Sequence, residues 1–112
     1  MTVFAKILAG DIPAEIVYED EHVVAFQDIA PVAPTHVVVI PRKPLASVAD
    51  ASPEDATLLG RLLLAGAQVA RDLGLEEDGY RMVTNVGRDG GQSVFHLHVH
   101  LVGGRPFGWP PG

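Results

Sequence analysis

The sequence predicts an α+β fold, a five-stranded antiparallel sheet carrying one long helix and a short N-terminal helix. Three observations predict it: five short apolar runs separated by turn residues, one long capped segment of helical periodicity, and connections between successive strands that are short enough for antiparallel pairing. At 112 residues the chain suits a single domain spanning 1–112. A chain of that length buries roughly 65% of its unfolded surface, enough for a core without staples.

Taken in order, Val3, Phe4, Ile7 and Leu8 recur at helical spacing and stop at Gly10-Asp11-Ile12-Pro13, which predicts the short helix. Ile16–Glu19 and His22–Phe26 flank Asp20-Glu21 as a hairpin, and Ala30–Pro34 is a loop because proline cannot continue a ladder. His36–Ile40, closed by Pro41, is apolar enough for a central strand. The long helix is placed at 53–73, with Ser52 as N-cap, Pro53 at N1, Glu54 and Asp55 in the first turn and Gly74 as its stop. Its polar stripe of Thr57, Arg61, Gln68 and Asp72 is narrow, and the apolar face is wider than one sheet requires. That excess fits either a second chain or a helix sunk under loops. Arg81–Asn85 is a fourth strand, Arg88–Ser93 a glycine-rich turn and Phe95–Val102 the fifth strand. The tail, 103–112, suits neither helix nor central strand, although its Trp109 needs somewhere to dock.

Composition excludes several classes. There are 8 Lys and Arg against 14 Asp and Glu, a net charge of −6, so no clustered basic surface is available for nucleic acid. No apolar run is long enough for a membrane span, and the start lacks the pattern of a secretory signal. Without cysteine there is no disulfide, thiolate metal site or cysteine nucleophile, and a reducing cytoplasm is the expected compartment. Histidine, five in number, is the remaining candidate for nucleophilic chemistry.

Three of the five stand at alternate positions. On a strand, His96, His98 and His100 project from one side while Leu97, Val99 and Leu101 project from the other. Same-face residues are about 7 Å apart, so charging all three is repulsive and part of the row stays neutral near pH 7. A neutral imidazole is a competent nucleophile. Zinc is the rival reading, but three residues spread over about 13 Å of one strand cannot all reach one ion. In the preceding turn, Gly90 and Gly91 permit positive φ and close approach, so backbone N–H groups, the Ser93 hydroxyl and the Asn85 amide can converge on a phosphate. The turn lacks a P-loop's Gly-Lys-Ser/Thr.

His96-Leu97-His98-Val99-His100-Leu101-Val102 resembles the signature of the histidine triad superfamily. Phe4-Ala5-Lys6-Ile7, Ile12-Pro13-Ala14, Ala33-Pro34-Thr35-His36, Gly90-Gly91-Gln92-Ser93-Val94 and the ending Gly103-Gly104-Arg105 to Trp109-Pro110-Pro111-Gly112 are similar to its Hint branch, the purine nucleoside phosphoramidases. The Fhit branch of dinucleoside polyphosphate hydrolases shares the triad but fits the glycine pair and the ending less well.

This resemblance implies a hydrolase that cleaves the P–N bond of nucleoside 5′-phosphoramidates, or acyl-nucleotides, through a nucleotidyl-histidine. It assigns His98 as nucleophile and His100 to orienting it and contacting phosphate. His36 and His96 support the site from behind, and Asn85 and Ser93 serve the phosphate or leaving group. Asp28, beside Ile29, is placed on the ribose hydroxyls, and Phe4, Ile7, Phe26 and Val38 around the base. Gly91, Gln92 and Val94 complete the nucleotide contacts. The resemblance further implies a homodimer formed through the helix and a strand, with Trp109 reaching the partner's site, and no cofactor. Pro44 stands where Hint sequences commonly have His after Arg42-Lys43, so zinc binding is not carried over. The competing functions are a nucleotide-binding or protein-interaction module with little turnover, a dinucleoside polyphosphate hydrolase, and a metalloenzyme.

Overall fold

The computed structural model describes all 112 residues. A six-residue helix, α1 (Val3–Leu8), precedes β1 (Ile16–Glu19), β2 (Val23–Gln27) and β3 (Thr35–Pro41); a long helix, α2 (Ala56–Asp72), then leads to β4 (Tyr80–Val83) and β5 (Val99–Gly103). All neighbouring strands pair antiparallel, in the order β1-β2-β3-β5-β4. The sequence-predicted fold class is therefore the observed one.

Local chemistry explains the element ends. Thr2 caps α1 by accepting the Ala5 N–H at 3.0 Å. In the first hairpin, Asp20 Oδ1 accepts the N–H groups of His22 and Val23 at 2.7 and 2.8 Å, so β2 begins at Val23, one residue later than expected. Ser52 and Asp55 open the long helical segment, the Ser52 N–H donating to Asp55 Oδ2 at 3.0 Å. Its first turn, Pro53–Asp55, is a 3-10 turn, and α-helix proper starts at Ala56.

The sheet separates two apolar clusters. On its inner face Val23, Ala25, Val37, Val39, Val99 and Leu101 pack against Leu62, Ala65, Val69 and Ala70 of α2. Complete burial of a side chain such as Leu62 contributes roughly 1.5–3 kcal/mol. On the outer face Phe4 of α1 covers Val24, Phe26, Val38 and Ile40. The edge of that cluster meets the histidines, the Phe4 ring lying 4.9 Å from that of His98. The wide apolar face of α2 is not absorbed by this packing: Leu63 and Leu64 remain 52% and 70% exposed.

The tail begins later than expected. Gly103 is the last residue of β5, an interior strand, paired with Thr35 on one side and Tyr80 on the other. A side chain there would have to displace Leu75, since a Cβ would fall 2.9 Å from Leu75 Cδ1. No helix is long and apolar enough to cross a membrane.

Candidate active site

His36 and His100 are the second residues of β3 and β5, and the ladder that pairs His36 with Val102 and Val38 with His100 makes the two histidines diagonal neighbours on the outer face. Their rings meet, His36 Nε2 lying 2.8 Å from His100 Nδ1.

His96 and His98 are placed differently from expectation. The predicted strand Phe95–Val102 begins only at Val99, because β3 ends at Pro41 and the ladder stops at the Val39–Val99 pair. Beyond that point Pro41, Leu45 and Ala46 supply single acceptors in place of a ladder. The His96 ring Nε2–H donates to Pro41 O at 2.9 Å, the Leu97 N–H to Leu45 O at 2.6 Å and Gln92 Nε2 to Ala46 O at 2.7 Å. Alternation survives the loss of the ladder: Leu97 is in the inner core, and His96 and His98 face Phe4 on the outer side. The ring centroids of His98 and His100 lie 4.8 Å apart.

The hydrogen-bond partners fix which ring nitrogens carry protons. Val32 N–H can only donate, so His36 Nδ1, 3.2 Å away, accepts, and a neutral His36 holds its proton on Nε2. That proton is directed at His100 Nδ1, with Asp28 Oδ2 3.4 Å from the same nitrogen. His100 therefore carries its proton on Nε2. The His96 carbonyl can only accept, so His98 Nδ1 donates to it at 2.6 Å and leaves the Nε2 lone pair bare. One site thus holds an unprotonated ring nitrogen on His98 beside a donor nitrogen on His100.

Burial favours the neutral forms of His98 and His100. It pushes the His98 imidazole below the ordinary histidine value, against the opposing pull of the His96 carbonyl. His100 is pushed down to about 4 by burial first and by neighbouring His98 and His36 next.

The glycine-rich turn is built for shape. Gly91 has φ +79°, and a Cβ on Gly90 would lie 2.3 Å from Val86 O. Asn85 Nδ2 donates to Gly90 O at 2.7 Å, and Gln92 is buried with its carboxamide bonded to the Gly87 N–H, Ala46 O and Val94 O. The side chains of Asn85 and Gln92 thus hold the turn. Ser93 is exposed beside it, and Val94 packs on the outer cluster. Strand β4 was expected over Arg81–Asn85 but ends at Val83; Thr84 leaves the ladder to donate from Oγ1 to the His98 carbonyl at 2.8 Å.

Two apolar hollows flank the histidines. One is lined by Val3, Phe4, Ile7, Ile12 and Phe26, with Asp28 and the fully exposed Ile29 at its rim. Val38, expected around the base, is 1% exposed in the outer cluster it shares with Phe4 and Phe26. The other hollow is formed by Val32, Val83 and Val102 around His36 and His100. Neither has a lysine or arginine in its lining. Trp109 is 84% exposed, near the Arg81 guanidinium that also donates to Gly108 O. His22 lies apart on the first hairpin beside Glu21.

Asp28, His36 and His100 offer ligand atoms within 4.8 Å of one another, the one such trio in the chain. The 2.8 Å ring-to-ring approach is that of a hydrogen bond, and it occupies the His100 Nδ1 lone pair that a cation would need. The residues present suit a proton better than a metal.

Sequence reasoning singled out the four histidines that the structure brings together. It missed the groups that set their tautomers, namely the Val32 N–H and the Pro41 and His96 carbonyls, because a backbone group carries no residue-type signal.

The HIT domain profile matches residues 9–107. The uncharacterized HIT-like protein of Synechocystis sp. is 56% identical over 111 residues, 99% of this chain and 96% of that one. A HIT family hydrolase from Legionella pneumophila superposes with a TM-score of 0.97 at 47% identity, covering 100% of both chains. A hypothetical histidine triad nucleotide-binding protein from Sulfolobus tokodaii gives 0.77 at 35% identity, over 89% of this chain and 66% of that one.

Proposed function

This chain belongs to the HIT domain family, and from that premise we propose that it is a nucleotide hydrolase of the Hint branch, cleaving the P–N bond of purine nucleoside 5′-phosphoramidates and related acyl-nucleotides. The observation that carries the reading is the bare Nε2 of a buried, neutral His98 beside the Nε2–H of His100. The hydrolase and nucleotide-binding relatives support it.

In the first step His98 Nε2 attacks the α-phosphorus. A P–N bond to His98 forms, the bond to the leaving nitrogen breaks, and that nitrogen takes a proton from water to depart as the amine. The His100 Nε2–H donates to a phosphate oxygen as negative charge gathers there, which costs little reorganisation because His36 has already set its tautomer. Water then attacks the nucleotidyl-histidine, the P–N bond to His98 breaks, and nucleoside monophosphate leaves. Ser93 lies beside the phosphate, and Asn85 with Gln92 keeps the Gly91 turn in shape around it. Asp28 accepts the ribose hydroxyls, and the hollow of Phe4, Ile7 and Phe26 takes the base.

The absence of lysine and arginine from both hollows favours a neutral or cationic leaving group. A second nucleotide attached through pyrophosphate would bring charge that nothing there offsets, which argues against the dinucleoside polyphosphate reading. No cofactor is required by these steps.

The assembly in this reading is a homodimer of one domain, 1–112, acting in the cytoplasm. Exposed Leu63 and Leu64 on α2 and the free edge of β4 support self-association. The tail with Trp109 would then reach the partner's site. Adenosine 5′-phosphoramidate incubated with the protein and a chelator should yield monophosphate, and His98→Ala should not. Tight monophosphate binding by an inert wild-type protein would instead favour a binding module.

A further inference from the structure

The orientation of the His36–His100 pair begins at a backbone group in an irregular loop, so whatever holds that loop matters to the site. Val32 lies between Pro31 and Pro34, is 64% exposed, and contributes the N–H that His36 Nδ1 accepts at 3.2 Å. Two things brace the loop. Near its start the Ala30 N–H donates to Asp28 Oδ1 at 2.8 Å. From outside comes the segment after β5: Gly104, at φ +91°, presses on Pro34, where a Cβ would fall 2.8 Å from Pro34 Cβ, and Arg105 Nη2 donates to the Val32 carbonyl at 3.2 Å. The guanidinium is itself held by its own segment, with Nη1 donating to Pro106 O at 3.2 Å and Cζ lying 4.3 Å from the centre of the Phe107 ring.

Arg105 and His36 therefore grip the two sides of one residue. We propose that Arg105 is a positioning residue for the hydrolytic site, holding Val32 so that its N–H keeps the His36 proton on Nε2 and, through it, the His100 proton on the nitrogen that faces phosphate. Without that hold Val32 turns away, and His36 is free to carry its proton on Nδ1. His36 Nε2 then becomes an acceptor, His100 must donate to it from Nδ1, and His100 offers phosphate a lone pair in place of a proton. The segment after β5 thus governs catalysis within its own subunit, independently of any reach of Trp109 to a partner. This inference rests on the proposed hydrolysis for its consequence in turnover, but the tautomer itself can be read without substrate.

The test is long-range proton–nitrogen NMR on the ring-labelled protein, with turnover of adenosine 5′-phosphoramidate measured alongside. In the wild type, His36 Nδ1 should show the shift of an unprotonated nitrogen and Nε2 that of a protonated one. In Arg105→Ala the two shifts should converge and kcat fall roughly threefold to tenfold, the range of one hydrogen bond, with KM and thermal midpoint unchanged. Arg105→Lys, which keeps one cationic donor, should recover the wild-type shifts and most of kcat. Wild-type tautomer shifts in Arg105→Ala would overturn the proposal, as would a loss in KM alone. A wild-type protein inert toward the phosphoramidate would refute the proposed hydrolysis, while the nitrogen shifts would still decide the role of Arg105.

Discussion

The two faces of the sheet are made by alternate residues of the same strands, yet they answer to different physics. On the inner face Val37, Val39, Val99 and Leu101 exclude water against α2, and any apolar group of similar volume serves that purpose. On the outer face the proposed chemistry of His36, His98 and His100 needs each proton on one of two chemically similar nitrogens, which depends on the backbone groups of Val32 and His96 and on the meeting of His36 with His100 across the sheet. Inner-face changes should therefore register as stability, and outer-face changes as turnover by a folded protein.

The sharpest break in that comparison is His98→Ala, which should lower phosphoramidate turnover by roughly 10⁴-fold or more, as loss of a nucleophile does, while circular dichroism shows the fold retained. Leu62→Ala should do the reverse. Its buried side chain leaves a cavity under the sheet, and denaturant unfolding should show a loss of about 2–5 kcal/mol with near-normal turnover per folded molecule. His36→Ala should be intermediate, lowering kcat roughly fivefold to a hundredfold because His100 Nδ1 loses its donor inside the site. Leu64→Glu belongs to neither face; if the proposed dimer forms through α2, it should shift sedimentation toward monomer by placing a carboxylate in that surface.

The smallest effect is with pH. His98 and His100 both titrate lower in the folded chain than in the unfolded one, where histidine sits near 6.5. As pH falls below about 6.5 the unfolded chain takes up protons that these folded side chains refuse. Their contribution to stability is therefore intact above that pH and is lost as pH drops toward about 4, where His100 finally titrates. Urea unfolding at stepwise pH should show the decline, and the acid limb of kcat/KM should lie below 6.5.

The inner face was the more legible of the two in sequence. Apolar periodicity and caps located α2 and all five strands, since both signals are local. The same reasoning overextended the last strand: Phe95–His98 alternates like a strand, but whether a ladder forms depends on a partner, and residues 42–46 turn away. It also assigned Gly103 to the tail, because a glycine that makes room for Leu75 carries no strand propensity. For the site, histidine spacing named the rings and family resemblance their roles. Spacing could not show that Val38 is buried in the outer cluster or that Gln92 is spent on holding a turn, since both follow from tertiary packing.

The account stands on His98 Nε2 as the attacking atom. A reaction with adenosine 5′-phosphoramidate, quenched in denaturant within a turnover and digested for mass spectrometry, tests it most directly. An adenylyl adduct on the His98 peptide, absent from His98→Ala, is the result expected. Turnover by the wild type with no adduct at any quench time, or an adduct on His96 or His100, would contradict it.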